Sequence, residues 1–286
     1  MKTIHYTKSC PFDFFTWQLQ NVDKIFAGHG CVMALTCKGK VLQQVLDREL
    51  AADTHGWNSV QSISISGCFP ALAVGLTDEG TCVISENALK HACDCTGMNA
   101  AKVLNELQSL NRITEILVSD AIFALDCRGK VHCIPLTAGD DYKEVTSWSD
   151  VQHLAVGSQN SVFGITKNGT VLCAGSNLKG AKQHLEQLQG VVDVCAMGGE
   201  CETVLLALSD GRVVDLSEKD QGITHVGAFP VFQSNFLLTA VNLGENKVKC
   251  LAYNDMEGLE EIEKAKIHSL AIGTDENLFP AFAIWN

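Results

Sequence analysis

The chain has 286 residues, 46% hydrophobic and 19% charged, with 33 acidic against 21 basic side chains and a formal net charge of −12. This composition leaves no room for a long disordered tail, and Lys and Arg are scattered rather than clustered, which argues against nucleic-acid binding because phosphate backbones require cationic surface. No stretch approaches the roughly 18 uninterrupted apolar residues of a membrane helix, Met1 to His5 does not read as a secretory signal, and a soluble protein is expected.

In chain order, Lys2 to Tyr6 has strand character but stands alone. Val22-Asp23-Lys24-Ile25-Phe26-Ala27-Gly28 then opens a pattern that recurs about seven times, most copies ~40 residues apart. The pattern is a Val/Ile-x-x-Ile/Val/Leu strand, an Ala-Leu-Thr-like strand, and then a turn that carries Gly in five copies and Asn246 in the sixth. The opening strands begin at Val22/Ile25, Val60/Ile63, Ile113/Ile116, Val151/Leu154, Val191/Val194, Ile223/Val226 and Ile267/Leu270. Turns such as Lys38-Gly39-Lys40 and Asn168-Gly169-Thr170 carry the residue that tolerates a tight hairpin. Short Val/Ile/Leu strands joined by such turns predict a four-stranded antiparallel sheet per copy. A sheet of that size cannot bury both faces alone, so copies must stack and close into a ring.

Two segments exceed the repeat. In Ser85 to Asn111, the run Asn99 to Leu110 has apolar residues at Val103, Leu104, Leu107 and Leu110, the spacing of one helical face. It reads either as a helix covering the rim of copies two and three or as a projecting element that meets a partner. Asn254 to Lys266, with Glu257, Glu260, Glu261 and Glu263, reads as a solvated acidic loop or short helix. The last copy stops at Phe282-Ala283-Ile284-Trp285-Asn286 without its own turn and outer strand, so the strand at Lys2 to Tyr6 is expected to complete it and remove a sheet edge.

At these residues the chain resembles the regulator of chromosome condensation repeat family. The fourth copy fits best, with Val151-Gln152-His153-Leu154-Ala155-Val156-Gly157, Ser161-Val162-Phe163-Gly164-Ile165-Thr166, Asn168-Gly169-Thr170-Val171 and Gly175-Ser176-Asn177-Leu178-Lys179-Gly180. The family's His before the Ala-Leu strand is missing from every copy, and its Gly-x-Asn-x-x-Gly survives once. The resemblance implies an all-β fold: a seven-bladed β-propeller of four-stranded antiparallel blades spanning 1–286, its N-terminal strand closing the last blade and a helical insertion, 85–111, between blades two and three.

It also implies function. Family members include guanine-nucleotide exchange factors for Ran-type small GTPases, which act by favouring the nucleotide-free GTPase rather than by bond chemistry. A partner with a basic face suits the acidic chain. Asn99, Lys102 and Glu106 in the insertion, with Asp140 and Asp141, are the candidate partner contacts. The alternatives are a scaffold or adaptor that binds another protein without exchange, and an inhibitor module like the family members that plug β-lactamases, against which the absent signal and the cysteines count. The glutamate-rich block near the C-terminus also looks like the export signal of type IV secreted bacterial effectors, several of which use this repeat. A monomer in the cytoplasm, or in a host cytosol for an effector, is expected.

Thirteen cysteines without regular spacing read as reduced, mostly buried thiols of a cytosolic protein. His91-Ala92-Cys93-Asp94-Cys95 is the one cluster that could donate metal ligands, but no second Cys/His pair stands at comparable spacing, and no metal or cofactor is expected. No phosphate-cradling loop, metalloprotease His pair or nucleophile elbow is present, so no catalytic residue is assigned. His29 and His55 read as loop residues. Trp57, Trp148, Phe69 and Phe229 lie where exposure would make them anchors and burial would make them wedges.

Overall fold

The computed structural model describes residues 3–6, 21–45, 53–66, 72–157, 161–175, 181–197, 203–217, 219–225, 232–234, 238–252, 259–264, 266–272 and 281–285. Across these residues the protein is mostly β, arranged as seven small antiparallel sheets. The N-terminal strand β1 (Thr3–Tyr6) belongs to the last of them. The first sheet is β2 (Val22–Gly28), β3 (Cys31–Thr36) and β4 (Val41–Val45), the second β5 (Val60–Ile65), β6 (Ala73–Thr77) and β7 (Cys82–Ile84), and the third β8 (Ile113–Val118), β9 (Ala121–Asp126) and β10 (Val131–Pro135). The fourth is β11 (Val151–Val156), β12 (Val162–Thr166) and β13 (Val171–Ala174). The fifth adds a fourth strand: β14 (Val191–Met197), β15 (Thr203–Leu208), β16 (Arg212–Asp215) and β17 (Asp220–Thr224). The sixth is β18 (Phe232–Ser234), β19 (Leu238–Gly244) and β20 (Lys247–Ala252), and the seventh combines β21 (Ile267–Ile272), β22 (Ala281–Trp285) and β1.

The chain divides into two compact units. One comprises Met1–Cys127, His132–Gly139 and Ile267–Asn286 and carries the first three sheets and the seventh; the other comprises Arg128–Val131 and Asp140–Lys266 and carries the fourth to sixth. No helix among the described residues is long and apolar enough to cross a membrane.

The spacing of three in the opening strands has a geometric cause. A regular strand puts residues i and i+2 on one face, yet Val22 and Ile25, Val60 and Ile63, Ile113 and Ile116, Val151 and Leu154, Val191 and Val194, and Ile267 and Leu270 are all buried. In each of these strands the pairing register shifts directly after the first residue, as between Val60 and Ser62 or Val151 and His153. The bulge inserts one residue, so a spacing of three brings both apolar side chains to the same side. The middle strands need no such device. β3, β6, β9 and β12 are buried along almost their whole length, which requires apolar residues on both faces, Phe123 and Phe163 among them.

Successive copies are bonded to one another at the hairpin turns. The carbonyl of Gly39 accepts the N–H of Val60 at 3.3 Å, Gly80 that of Ile113 at 2.9 Å, Gly129 that of Val151 at 3.0 Å and Gly169 that of Val191 at 3.0 Å. The residue before each of those donors has positive φ: Ser59 53°, Arg112 59°, Asp150 56° and Gly190 71°. Backbones approach so closely here that a Cβ on Gly169, itself at φ +75°, would lie 2.6 Å from the Gly190 nitrogen. Short side chains add bonds between sheets. Ser64 Oγ accepts from Val118 N–H at 2.9 Å, and Ser269 Oγ from Ile25 N–H at 3.1 Å. β1 pairs antiparallel with β22, Thr3 opposite Trp285 and Tyr6 opposite Phe282, which is the partner expected for the N-terminal strand.

The 85–111 segment forms two helices, α1 (Glu86–Thr96) and α2 (Ala100–Ser109). Ser85 caps α1 by accepting the Ala88 N–H, Gly97 ends it in the left-handed conformation, and Asn99 caps α2 by accepting the Lys102 N–H. Leu89, Cys93, Val103 and Leu107 turn inward and join Leu72, Val74, Leu76, Ile113, Ile116, Ile134 and Leu136 in one core. The insertion therefore roofs the second and third sheets. Helix α1 is an addition to the sequence reading, which places a helix only over the second half of the segment.

Two expectations are corrected. Among the described residues, four strands per copy hold for the fifth sheet, and the other six sheets have three. Helices take up the chain beyond several third strands. Helix α2 contacts β7, α3 (Lys182–Leu185) contacts β13, and α4 (Leu259–Lys264) contacts β20. At β20 the Glu263 side chain of α4 accepts the Cys250 N–H at 2.8 Å, serving a backbone donor on that outer strand. The second correction concerns the sixth copy. Ile223 lies in β17, the outer strand of the fifth sheet, and the sixth sheet opens instead on Phe232 in β18; Val226 lies outside the described residues.

Candidate functional site

The candidate contacts fall in two places. Asn99, Lys102 and Glu106 stand on one helix, α2, whose other side is anchored by Val103 and Leu107. Asn99 is committed to its cap, with its side-chain oxygen 3.0 Å from the Lys102 nitrogen. Lys102 Nζ lies 3.9 Å from Glu106 Oε1, with side chains 74% and 44% exposed, so this pair is solvated and available to a partner. Asp140 and Asp141 lie on the other compact unit, at the turn leading into a 3₁₀ segment, Lys143–Ser147. Both are exposed, and Asp140 is paired with Lys143. The same 3₁₀ segment is tied to α3 by Glu144 and Lys182. Partial desolvation works against the Lys182 ammonium, but the hydrogen bond and charge of Glu144 outweigh it and raise its pKa.

The aromatic candidates are wedges. Trp57 and Trp148 are buried, three residues before Val60 and Val151, and a Cβ on Gly75 would lie 3.1 Å from the Trp57 ring and one on Gly164 2.9 Å from that of Trp148. The missing side chains on the middle strands make room for the indoles. Phe69 and Phe229 lie outside the described residues. His29 is half-buried, its N–H donating to the Ser66 carbonyl; His55 is an exposed turn residue whose N–H donates to Asp53.

In the acidic block, Glu263 binds Lys249 at 2.9 Å besides the β20 backbone, and that hydrogen bond holds the Lys249 pKa up. Glu260 pairs with Lys264 one turn on. Glu257 and the side chain of Glu261 lie outside the described residues. The ten cysteines among the described residues are free thiols. Burial pushes Cys31, Cys82, Cys133, Cys195 and Cys250 up to about 12, far from a nucleophilic state near neutral pH. Within the His91 cluster, Cys93 turns into the core, while His91 and Cys95 remain exposed with Nε2 and Sγ 4.0 Å apart. No group of three or more His, Cys, Asp and Glu able to hold a metal is present among the described residues.

One polar centre escapes the sequence reading. Asp193, 1% exposed, accepts the Val194 N–H at 2.8 Å and the Phe232 N–H at 2.9 Å, and its Oδ1 lies 3.2 Å from His153 Nε2. His153 and Asp193 are the third residues of Val151-Gln152-His153 and Val191-Val192-Asp193, directly after the inserted residues Gln152 and Val192 of the bulges in two successive copies. Superposing the copies on their bulges would have found the pair. Its bonds join three opening strands, β11, β14 and β18, and make it structural rather than catalytic.

No family model matches the chain, and no curated protein matches it. Solved structures similar to it include Saccharomyces cerevisiae Prp20p, from work on its binding properties to Gsp1p and histones, at 13% identity over 91% of this chain and 81% of that chain with a TM-score of 0.49. Yeast RCC1 (Prp20) in complex with Kap60 matches at 12% identity over 92% and 80% of the two chains, TM-score 0.48. The computationally designed Ika8 protein matches at 12% identity over 93% and 83%, TM-score 0.45.

Proposed function

We propose that the chain is a seven-bladed propeller over 1–286 that binds a small GTPase through a basic face of that partner and promotes nucleotide release, as a cytoplasmic protein. The observation that carries this reading is the sevenfold strand unit whose copies are bonded turn to opening strand by Gly39, Gly80, Gly129 and Gly169. Such a scaffold leaves its function to what is grafted on it. The chief graft is the α1–α2 roof with Lys102 and Glu106 in solvent. The net charge of −12 favours encounter with a cationic surface, and exchange needs no nucleophile or base, only tighter binding of the nucleotide-free state. Delivery into a host cell as a bacterial effector belongs to the same proposal, resting on the glutamate-rich block.

The test is release of a fluorescent guanine nucleotide from Ran, Rap, Rab and Rho-type GTPases. Acceleration for one of them at micromolar protein supports exchange. Binding without acceleration leaves the scaffold reading, and the absence of both binding and acceleration refutes the proposal.

A further inference from the structure

We propose that α1 carries a surface chelate for a thiophilic divalent transition metal, zinc or its analogues, made by Cys95 Sγ and His91 Nε2. The two residues stand one helical turn apart, and both are exposed. Their donor atoms are 4.0 Å apart. Zinc bonded to sulfur at ~2.3 Å and to nitrogen at ~2.05 Å in tetrahedral geometry places those atoms roughly 3.6 Å apart, so closing the bite takes about 0.4 Å of side-chain rotation within the staggered wells.

The backbone beneath the donors is already fixed. Ser85 caps the start of α1, Gly97 ends it with its N–H on the Cys93 carbonyl, and Leu89, Ala92 and Cys93 bury the opposite side. Binding therefore costs little ordering of the chain. The soft thiolate and imidazole select zinc, cobalt or copper over magnesium or calcium. Two protein donors leave coordination positions open to water or to a donor from another molecule. The other exposed thiols among the described residues stand on hairpin turns beside cations, Cys37 before Lys38 and Cys127 before Arg128, which disfavours a metal there. On binding, the Cys95 S–H bond breaks, its proton passes to solvent, and the thiolate lone pair forms the metal–sulfur bond.

The experiment is a cobalt(II) titration of the full chain in a non-chelating reductant, read by thiolate-to-cobalt charge-transfer absorption. One equivalent is expected to produce the band, and zinc to abolish it. Cys95→Ser should remove the band, His91→Ala should weaken binding about tenfold or more, and Cys37→Ser and Cys127→Ser should change nothing. Both pair substitutions lie in solvent, and circular dichroism confirms that the fold is retained. A band missing from the unaltered chain, one that survives Cys95→Ser, or one indifferent to His91→Ala would overturn the chelate.

Discussion

The imidazole of His153 and the carboxylate of Asp193 meet at 3.2 Å from the bulges of two successive copies. Asp193 is almost wholly enclosed and holds the Phe232 N–H with its second oxygen, so one carboxylate fixes the first strand of the sixth sheet to the fifth. Removing it takes the acceptor from the Val194 and Phe232 N–H groups in the interior. Asp193→Ala is expected to lower stability by about 3 kcal/mol or more, and His153→Ala by less. Urea unfolding of both variants and the double variant measures this; additive losses would show that the two residues act independently.

The legibility of the sequence follows from the same bulges. Copies whose opening strand keeps two aliphatic residues three apart, such as Val60/Ile63 and Val151/Leu154, are visible because the bulge imposes that spacing. The sixth is misplaced because β18 holds Phe232-Gln233-Ser234 and is secured by Asp193, not by an aliphatic pair. Ile223 resembles the missing signal but is the outer strand of the preceding sheet. Helix α1 is hidden because its apolar face is short, Leu89, Ala92 and Cys93 being its buried residues. The sequence marks Asn99, Lys102 and Glu106 by their place in the insertion, and the structure adds that Asn99 is the exposed cap of α2 and that Lys102 and Glu106 are exposed one turn apart.

The contact between hairpin and opening strand leaves no space for a methyl group at Gly169. Gly169→Ala forces a positive φ on an L-residue and drives its Cβ into the Gly190 backbone, and should cost about 2 kcal/mol or more. Gly56→Ala, with open space around the position, is the matched control and should be nearly neutral. Thermal melts of the two variants compare them directly.

Room for the indoles gives a related expectation. At Gly164 an added Cβ lies 2.9 Å from the Trp148 ring, so Gly164→Ala should destabilise by about 1–3 kcal/mol. The change should also shift the fluorescence of Trp148. Retained stability with unaltered emission would mean that the ring does not depend on the glycine.

Stability should fall at alkaline pH. Five thiols are held near 12 by burial, up from 9.0. Between those values the unfolded chain gives up protons that the folded chain keeps, so stability, full below about pH 9, is lost as pH rises. Each enclosed thiol, such as Cys31 or Cys195, removes up to about 1.4 kcal/mol per pH unit in that window, and the half-buried Cys82 and Cys133 remove less. Melting temperatures should stay level from pH 8 to about 9 and drop steeply from there to about 10.5, and Cys195→Ala should flatten the slope. At pH 8, iodoacetamide should label Cys37, Cys95 and Cys127 in the folded protein and reach Cys31 and Cys195 only on unfolding, as read by mass spectrometry.

Partner binding is best probed without removing the insertion, because 85–111 contributes Leu89, Cys93, Val103 and Leu107 to the core. The double charge reversal Lys102→Glu with Glu106→Lys keeps an i,i+4 pair on α2 and should leave the melting temperature within about 2 °C. It should weaken binding of the partner about tenfold. Unchanged affinity would remove α2 from the interface.

The most direct measurement for the account as a whole is the equilibrium affinity of the folded chain for each small GTPase, nucleotide-free and GDP-loaded. Exchange by differential binding predicts that one GTPase binds at least about tenfold more tightly when nucleotide-free, and that added GDP releases it. Equal affinity for the two forms, or no binding by any GTPase tested, would contradict it.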